Sequence, residues 1–272
     1  MRILFVADIY ARPGRRAAAE MIPQLLRMRA VDFCVANGEN AAGGFGLTEN
    51  VARKFFAYGV DVITTGNHVW HRADFVRHLA EQERVLRPFN YPEAAPGKGS
   101  TVAQSRNGTA VAVINLQGRT FMQDIDCPFR TGQAEIERLK QETPVVFVDF
   151  HAEATAEKSA LAYHVDGLAS AVIGTHTHVQ TADEKILARG TAFLTDAGMT
   201  GVHDSVIGTR PRIAIGRFLD QVPTRFKPAC GNPTFCGALV DVDETSGRAT
   251  AIERLQIPVQ LSNDSGANEI ED

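Results

Sequence analysis

The sequence predicts an α/β fold: a largely parallel sheet covered by helices, with an antiparallel contribution late in the chain. Three observations carry this. Apolar, β-rich runs alternate with amphipathic helical patterns through most of the chain, as repeated strand–helix–strand units do. Past residue 190 that rhythm gives way to shorter strands and a hairpin. The chain's 272 residues, 44% hydrophobic and 22% charged, have the composition of an ordinary globular protein and suffice for one large domain or two small ones, α/β folds of this length being often single.

Taken in order, RILFVAD is a nearly continuous apolar strand. GRRAAAEMIPQLLRMR follows as an amphipathic helix with Met21, Ile22, Leu25 and Leu26 toward a core, although Pro23 argues against a straight one. VDFCVANGEN is the second strand. LTENVARKFFAYG is a helix, with Thr48 a candidate N-cap and Gly59 a candidate stop. VDVITTGNH is the third strand and RADFVRHLAEQERVL the third helix. NYPEAAPGKGS reads as a loop rich in Pro and Gly, before the strand TAVAVINLQG. The helix TGQAEIERLKQE leads into the strand PVVFVDFH, and the helix EKSALAYHVDG into ASAVIGTHTH. The strand TAFLTDAG and a hairpin, GALVDVDETSGRATAIERLQ, turning at Thr245 to Gly247, complete the pattern. Residues 200–235 interrupt it and carry Arg210, Arg212, Arg217, Arg225 and Lys227. They read either as a cap bringing basic side chains to a site or as a surface excursion of solvated charges.

A net charge of −4 and the lack of any run of Lys or Arg argue against a dedicated nucleic-acid or membrane-surface binder. Asp8 interrupts the apolar start and no small-residue cleavage site follows, so no signal peptide is expected. No apolar run approaches the roughly 20 residues of a membrane span. Cys34, Cys127, Cys230 and Cys236 fit no zinc spacing and are read as reduced, mostly packing thiols. A cytoplasmic location is expected, with homo-oligomerisation left open.

In parallel sheets, ligands bind outside the carboxyl ends of the strands. Asp8 ends the first predicted strand, Glu39 and Asn40 the second, and Asn67 and His68 the third. His151 ends a later one, and His176 and His178 the next. Strand alternation predicts that the last two project from one face. Each residue alone has a plain structural reading: a helix cap at Asp8, a turn at NGEN, a left-handed residue at Asn67, a satisfied buried imidazole at His151. Five strands delivering oxygen and imidazole donors to one rim are poorly explained by coincidence. A metal centre accounts for them together.

These residues resemble the calcineurin-like metallophosphoesterase superfamily. Its pattern is an aspartate after the first strand, a carboxylate after the second, Gly-Asn-His after the third, a lone histidine, and Gly-x-His-x-His. Here they read VADIY, ANGEN, TTGNH, VDFHAE and IGTHTH, in that order over residues 1–178. The resemblance is tighter still to the bacterial YmdB-like family, through NGEN, TTGNHVW, VDFHAEATAEK and GTHTHVQTADE, and it continues to about Gln256. Two positions depart from the wider superfamily. Tyr10 stands where a histidine is usual, and Glu39 where the bridging carboxylate is usually Asp.

The resemblance implies a metallophosphoesterase-type α-β-β-α sandwich with its metal site at the carboxyl ends of the strands. One catalytic domain would cover residues 1–260, with a candidate cap at about 200–235 and an acidic disordered tail at 261–272. Two metal ions are implied. Asp8, Glu39, Asn40 and His178 would hold one, and Asn67, His151 and His176 the other, with Glu39 bridging. The donor set suits iron or manganese, with zinc as the alternative. His68 is left unligated as the catalytic acid. The implied reaction is hydrolysis of small phosphoesters, 2′,3′-cyclic nucleoside phosphates in particular, by metal-activated hydroxide attack on phosphorus. The alternatives are a metal-dependent phosphomonoesterase and an RNA-processing or regulatory protein; the sequence has no RNA-binding motif. His203 could approach substrate, whereas His71, His78 and His164 read as surface or helix-packing residues and Trp70 as core.

Overall fold

The computed structural model describes residues 1–261, so the expected acidic tail lies, but for its first residue, outside the described residues. In chain order the elements are β1 (Arg2–Val6), α1 (Ala11–Met28), β2 (Phe33–Asn37), α2 (Glu49–Tyr58), β3 (Val62–Thr64), α3 (Ala73–Glu81), β4 (Val85–Leu86), β5 (Ser100–Gln104) and β6 (Ala110–Gln117). There follow α4 (Pro128–Leu139), β7 (Val146–His151), α5 (Thr155–His164), β8 (Ala171–Thr175), β9 (Lys185–Ile186), β10 (Ala192–Leu194), α6 (Pro211–Asp220), β11 (Thr234–Val242) and β12 (Ala249–Pro258).

The strands form two six-stranded sheets, ordered β12-β11-β1-β2-β3-β4 and β5-β6-β7-β8-β10-β9. In the first, β1 to β4 run parallel and β11 and β12 add antiparallel pairings at one edge; in the second, β6-β7-β8-β10 run parallel and β5 and β9 add antiparallel pairings at the two edges. Period-two alternation sends each strand's side chains into two different cores. Ile3, Phe5, Phe33 and Val35 meet Val113, Phe147 and Ile173 between the sheets, with the Phe5 and Phe147 rings 5.4 Å apart. Leu4, Val6, Cys34 and Ile63 pack outward against α1, α2 and α3. Ile114, Val148 and Val172 pack outward against α4 and α5. The result is an α-β-β-α sandwich.

Residue pattern alone reads one parallel sheet where there are two. Every central strand is buried on both faces, so its apolar run carries no mark of which sheet it joins. Two segments also differ from the expected elements. Val85 and Leu86 are not the end of a helix but a strand, because they complete the sheet edge opposite Ile63 and Thr64 and are fully buried there. Ser100, the last residue of the expected loop, and residues 101–104, assigned to no element by the sequence pattern, form the first arm of a hairpin with β6. Its turn carries Asn107-Gly108, a legible hairpin signal, with Gly108 at φ 89°.

Elsewhere the local signals act as expected. Thr48 caps α2 by accepting from Val51 N, and Gly59 ends it in the left-handed region. α1 continues through Pro23 to Met28. Residues 200–235 contain α6, of which Ala214 alone is buried while Ile215, Phe218 and Leu219 are exposed. The four cysteines are free. Among the described residues no helix is long and apolar enough to cross a membrane.

Candidate metal centre

The faces that meet between the sheets change from apolar to polar toward the carboxyl ends of their strands. On one side of β2, Phe33 and Val35 are followed by Asn37; on β3, Val62 by Thr64. On β7, Phe147 is followed by Asp149 and His151, and on β8 Ile173 is followed by Thr175. The polar members find one another. Asn37 donates to Asp149 Oδ2 at 2.9 Å, the Thr64 hydroxyl donates to the same oxygen, and the Thr175 hydroxyl donates to Oδ1 at 2.7 Å. Burial pushes Asp149 up to about 7 against the pull of these three hydrogen bonds.

Thr175 gives its proton to Asp149, so its oxygen accepts from His151 Nδ1, 2.9 Å away. That assigns a lone pair to His151 Nε2. Around this atom stand Glu39 Oε1, Asn67 Oδ1 and His176 Nδ1, each at 3.0 Å. His176 Nε2 faces Glu153 Oε2 at 3.1 Å, which favours its proton there and leaves Nδ1 another lone pair. Burial lowers His151 to about 4 and His176 to about 3, so both rings are neutral near pH 7. Electron-rich atoms therefore converge with no proton to share. A cation with bonds of about 2.1 Å holds adjacent ligands about 3 Å apart, the spacing found here. Ligand atoms of Glu39, His151 and His176 all lie within 4.8 Å of one another.

A second group adjoins the first. Asn40 Nδ2 lies 3.2 Å from Asp8 Oδ1, 3.2 Å from His178 Nε2 and 3.3 Å from Glu39 Oε1, the same oxygen that faces His151. His178 Nδ1 donates to the Ile207 carbonyl at 2.9 Å, which turns its Nε2 lone pair inward. Asp8 is fully buried, and that burial is the main cause of its raised pKa. Tyr10 is no ligand: its ring packs edge-on against His178, 5.6 Å between centroids.

His176 and His178 do not reach the site by strand alternation, as their spacing predicts. β8 stops at Thr175, and the two residues take φ of 101° and 65°, a conformation that L-residues adopt only under outside constraint. The constraint comes from two carboxylates. Asp8 Oδ2 accepts His176 N at 2.9 Å, and Asp196 Oδ2 accepts Thr177 N at 3.1 Å and Thr177 Oγ1 at 2.8 Å. Lys158 Nζ, 2.6 Å from the same Asp196 oxygen, balances its charge; both residues are 1% exposed.

His68 stands at the edge of these groups, its backbone N donating to Glu39 Oε2 at 3.1 Å. Burial lowers its pKa while the Glu39 carboxylate opposes that shift. His71, expected to be a surface or packing residue, lies beside it. His203 is engaged by the Met199 carbonyl, and Trp70 packs edge-on against Tyr91 in the core. The sequence reading missed Asn37, Thr64, Asp149, Thr175, Glu153, Lys158 and Asp196. For Asp149 a signal existed, since two positions before His151 on a strand is the same face.

Gly66 shows how tightly the ligand space is filled. A Cβ there would lie 2.3 Å from His151 Cδ2 and 2.4 Å from both His151 Nε2 and Glu39 Oε2. Gly66→Ala is expected to weaken cation binding by about 10–100-fold, the range for disturbed ligand orientation. Elemental analysis after dialysis measures this, and a wild-type cation content would contradict it.

Residues 4–255 match the family model described as YmdB-like protein. The chain belongs to the YmdB-like family. This makes it a metal-dependent phosphoric ester hydrolase of the calcineurin-like superfamily. One relative, a "2′,3′-cyclic-nucleotide 2′-phosphodiesterase" of Bacillus subtilis (strain 168), is 46% identical, the match covering 94% of this chain and 97% of the relative. A crystal structure of a hypothetical protein from Thermus thermophilus superposes with a TM-score of 0.89 at 40% identity, over 95% of this chain and 99% of that one. A novel phosphatase from Mycoplasma pneumoniae gives the same TM-score at 29% identity, over 95% and 93%.

Proposed function

We propose that the chain is a dinuclear-metal phosphodiesterase of small phosphoesters, with 2′,3′-cyclic nucleoside phosphates as the preferred class. The observation that carries this reading is Glu39 Oε1, which lies 3.0 Å from His151 Nε2 and 3.3 Å from the Asn40 amide and so stands between the two groups; Asn40, whose Nδ2 points at Asp8, Glu39 and His178 here, would turn its amide to offer Oδ1 to a cation. Asp8, Glu39, Asn40 and His178 would hold one cation; Asn67, His151 and His176, with Glu39 shared, would hold the other. Oxygen and imidazole donors without thiolate suit iron or manganese, with zinc as the alternative. When bound, such cations neutralise charge on phosphoryl oxygens and acidify water. The substrate class is supported by the activity for which the B. subtilis relative is named.

A cyclic diester carries one negative charge, so binding it asks little of basic side chains. That agrees with the arginines of residues 200–235: Arg210 donates to the Pro228 carbonyl and Arg217 lies over the Phe226 ring, both within their own segment. The segment's role in this reading is that of a cap on one edge of the site. Its contact runs through Ile207, which orients His178, and through Gly208, whose Cβ position lies 2.7 Å from the Tyr10 ring.

His68 would give its Nε2 proton to the ribose oxygen leaving phosphorus, breaking the P–O bond and releasing a hydroxyl. A positioned general acid contributes about 10²–10⁴-fold, and His68→Ala is expected to lose turnover of a cyclic nucleotide by that factor. Because His68 meets Glu39 only through its backbone N, which alanine keeps, the variant should retain its cations. Turnover of 2′,3′-cyclic AMP alongside elemental analysis tests both halves, and an undiminished rate would remove His68 from the mechanism.

A further inference from the structure

The geometry points to His71 as a positioning residue for His68, a role that rests on the acid assignment above and deepens it. His71 Nδ1 lies 3.3 Å from His68 Nδ1. Two imidazole nitrogens at that distance share a single hydrogen, so one ring must donate and the other accept. Phe45 fixes the arrangement from a third side. Its ring meets His68 edge-on at 4.9 Å and stacks on His71 at 5.7 Å, with 27° between the planes. Among the described residues no hydrogen bond reaches His68 Nε2, on the opposite edge of the ring.

His71 accepts and His68 donates. The His68 imidazolium carries one proton on each nitrogen; the Nδ1 proton is held by the His71 lone pair and the Nε2 proton is the one free to leave. After transfer to the leaving oxygen, His68 is a neutral imidazole with its hydrogen on Nδ1, and the bond to His71 is unchanged. Nε2 regains a proton from water and the cycle closes. His71 thus selects which nitrogen delivers the proton and stops the ring turning about its own axis. In catalytic sites that task usually falls to a carboxylate or a carbonyl behind the histidine. Here no carboxylate faces His68 Nδ1 among the described residues, and a second imidazole stands in that position.

Two variants separate this role from packing. His71→Phe keeps an aromatic ring against Phe45 and removes the acceptor. His71→Asn returns an acceptor where Nδ1 stood. With cations bound, His71→Phe is expected to lower turnover of 2′,3′-cyclic AMP by about 10–100-fold, as loss of an orienting partner does. Bis(p-nitrophenyl) phosphate, whose leaving group needs no proton, should be hydrolysed within about twofold of the wild-type rate, and His71→Asn should recover most of the cyclic-nucleotide rate. In the metal-free protein, two-bond 1H–15N spectra should show His68 as the Nδ1–H form in the wild type and a shift toward Nε2–H in His71→Phe. Equal losses on both esters, an unchanged cyclic-nucleotide rate, or His68 protonated on Nε2 in the wild type would overturn the proposal alone. A wild-type protein inert toward both esters would overturn the phosphodiesterase reading, and this with it.

Discussion

Glu39→Gln is expected to leave the protein folded, strip it of tightly held cation and reduce turnover of any phosphoester by at least about 10³-fold. The factor follows from losing several kcal/mol of charge stabilisation, at about 1.4 kcal/mol per tenfold in rate. Glu39 is 1% exposed and touches every part of the site: His151 Nε2, Asn40 Nδ2 and the backbone N of His68. Glutamine keeps the shape and an acceptor for His68 but removes the negative charge. The same change should not destabilise the metal-free protein. In that state Glu39 is a buried carboxylate whose charge helps to raise the pKa of Asp8, so neutralising it relieves a repulsion. Elemental analysis and melting curves with and without chelator read both effects. A variant with its full cation complement, or one whose metal-free form melts well below the wild type, would show that Glu39 serves the fold rather than the cations.

The second large effect lies at Lys158. Its pairing with Asp196 is buried from both sides, and removing one partner of such a pair costs about 3–5 kcal/mol because the other charge is left uncompensated. Lys158→Met should therefore unfold at markedly lower urea. Adding Asp196→Asn should raise stability again, since the stranded charge is gone and an amide oxygen can still accept from Thr177. Were Lys158 present only for packing, the second substitution would lower stability further, so the sign of the change decides. Because Asp196 holds Thr177 between His176 and His178, cation retention should fall in both variants.

Much of this site was legible in the chain. Each of Asp8, Glu39, Asn67, His151 and His176 follows or ends a strand whose apolar run announces it, and the polar residue at such an end has no other core to enter. The supporting residues were less visible for a plain reason. Asp149 and Thr175 stand inside apolar strands, where a lone polar residue reads as an interruption. Lys158 reads as the solvated position of a helix, and only the approach of Asp196 makes its burial tolerable. The motif GTHTH reads as two imidazoles on a continued strand, whereas the strand ends at Thr175. Spacing cannot report that two non-glycine residues take the left-handed conformation when the groups enforcing it are Asp8 and Asp196, remote in sequence.

Residue order alone determined the parallel strand–helix units, the family pattern and the end of each strand where donors gather, because a strand's direction and the residue at its tip are local properties. Tertiary structure decided that these strands form two facing sheets, and which nitrogen of each histidine turns inward. His151 is set by Thr175, 24 residues away, and His178 by Ile207, 29 residues away. A ring's protonated edge is chosen by the partner it meets, and that partner arrives only when the sheets and the segment above them pack.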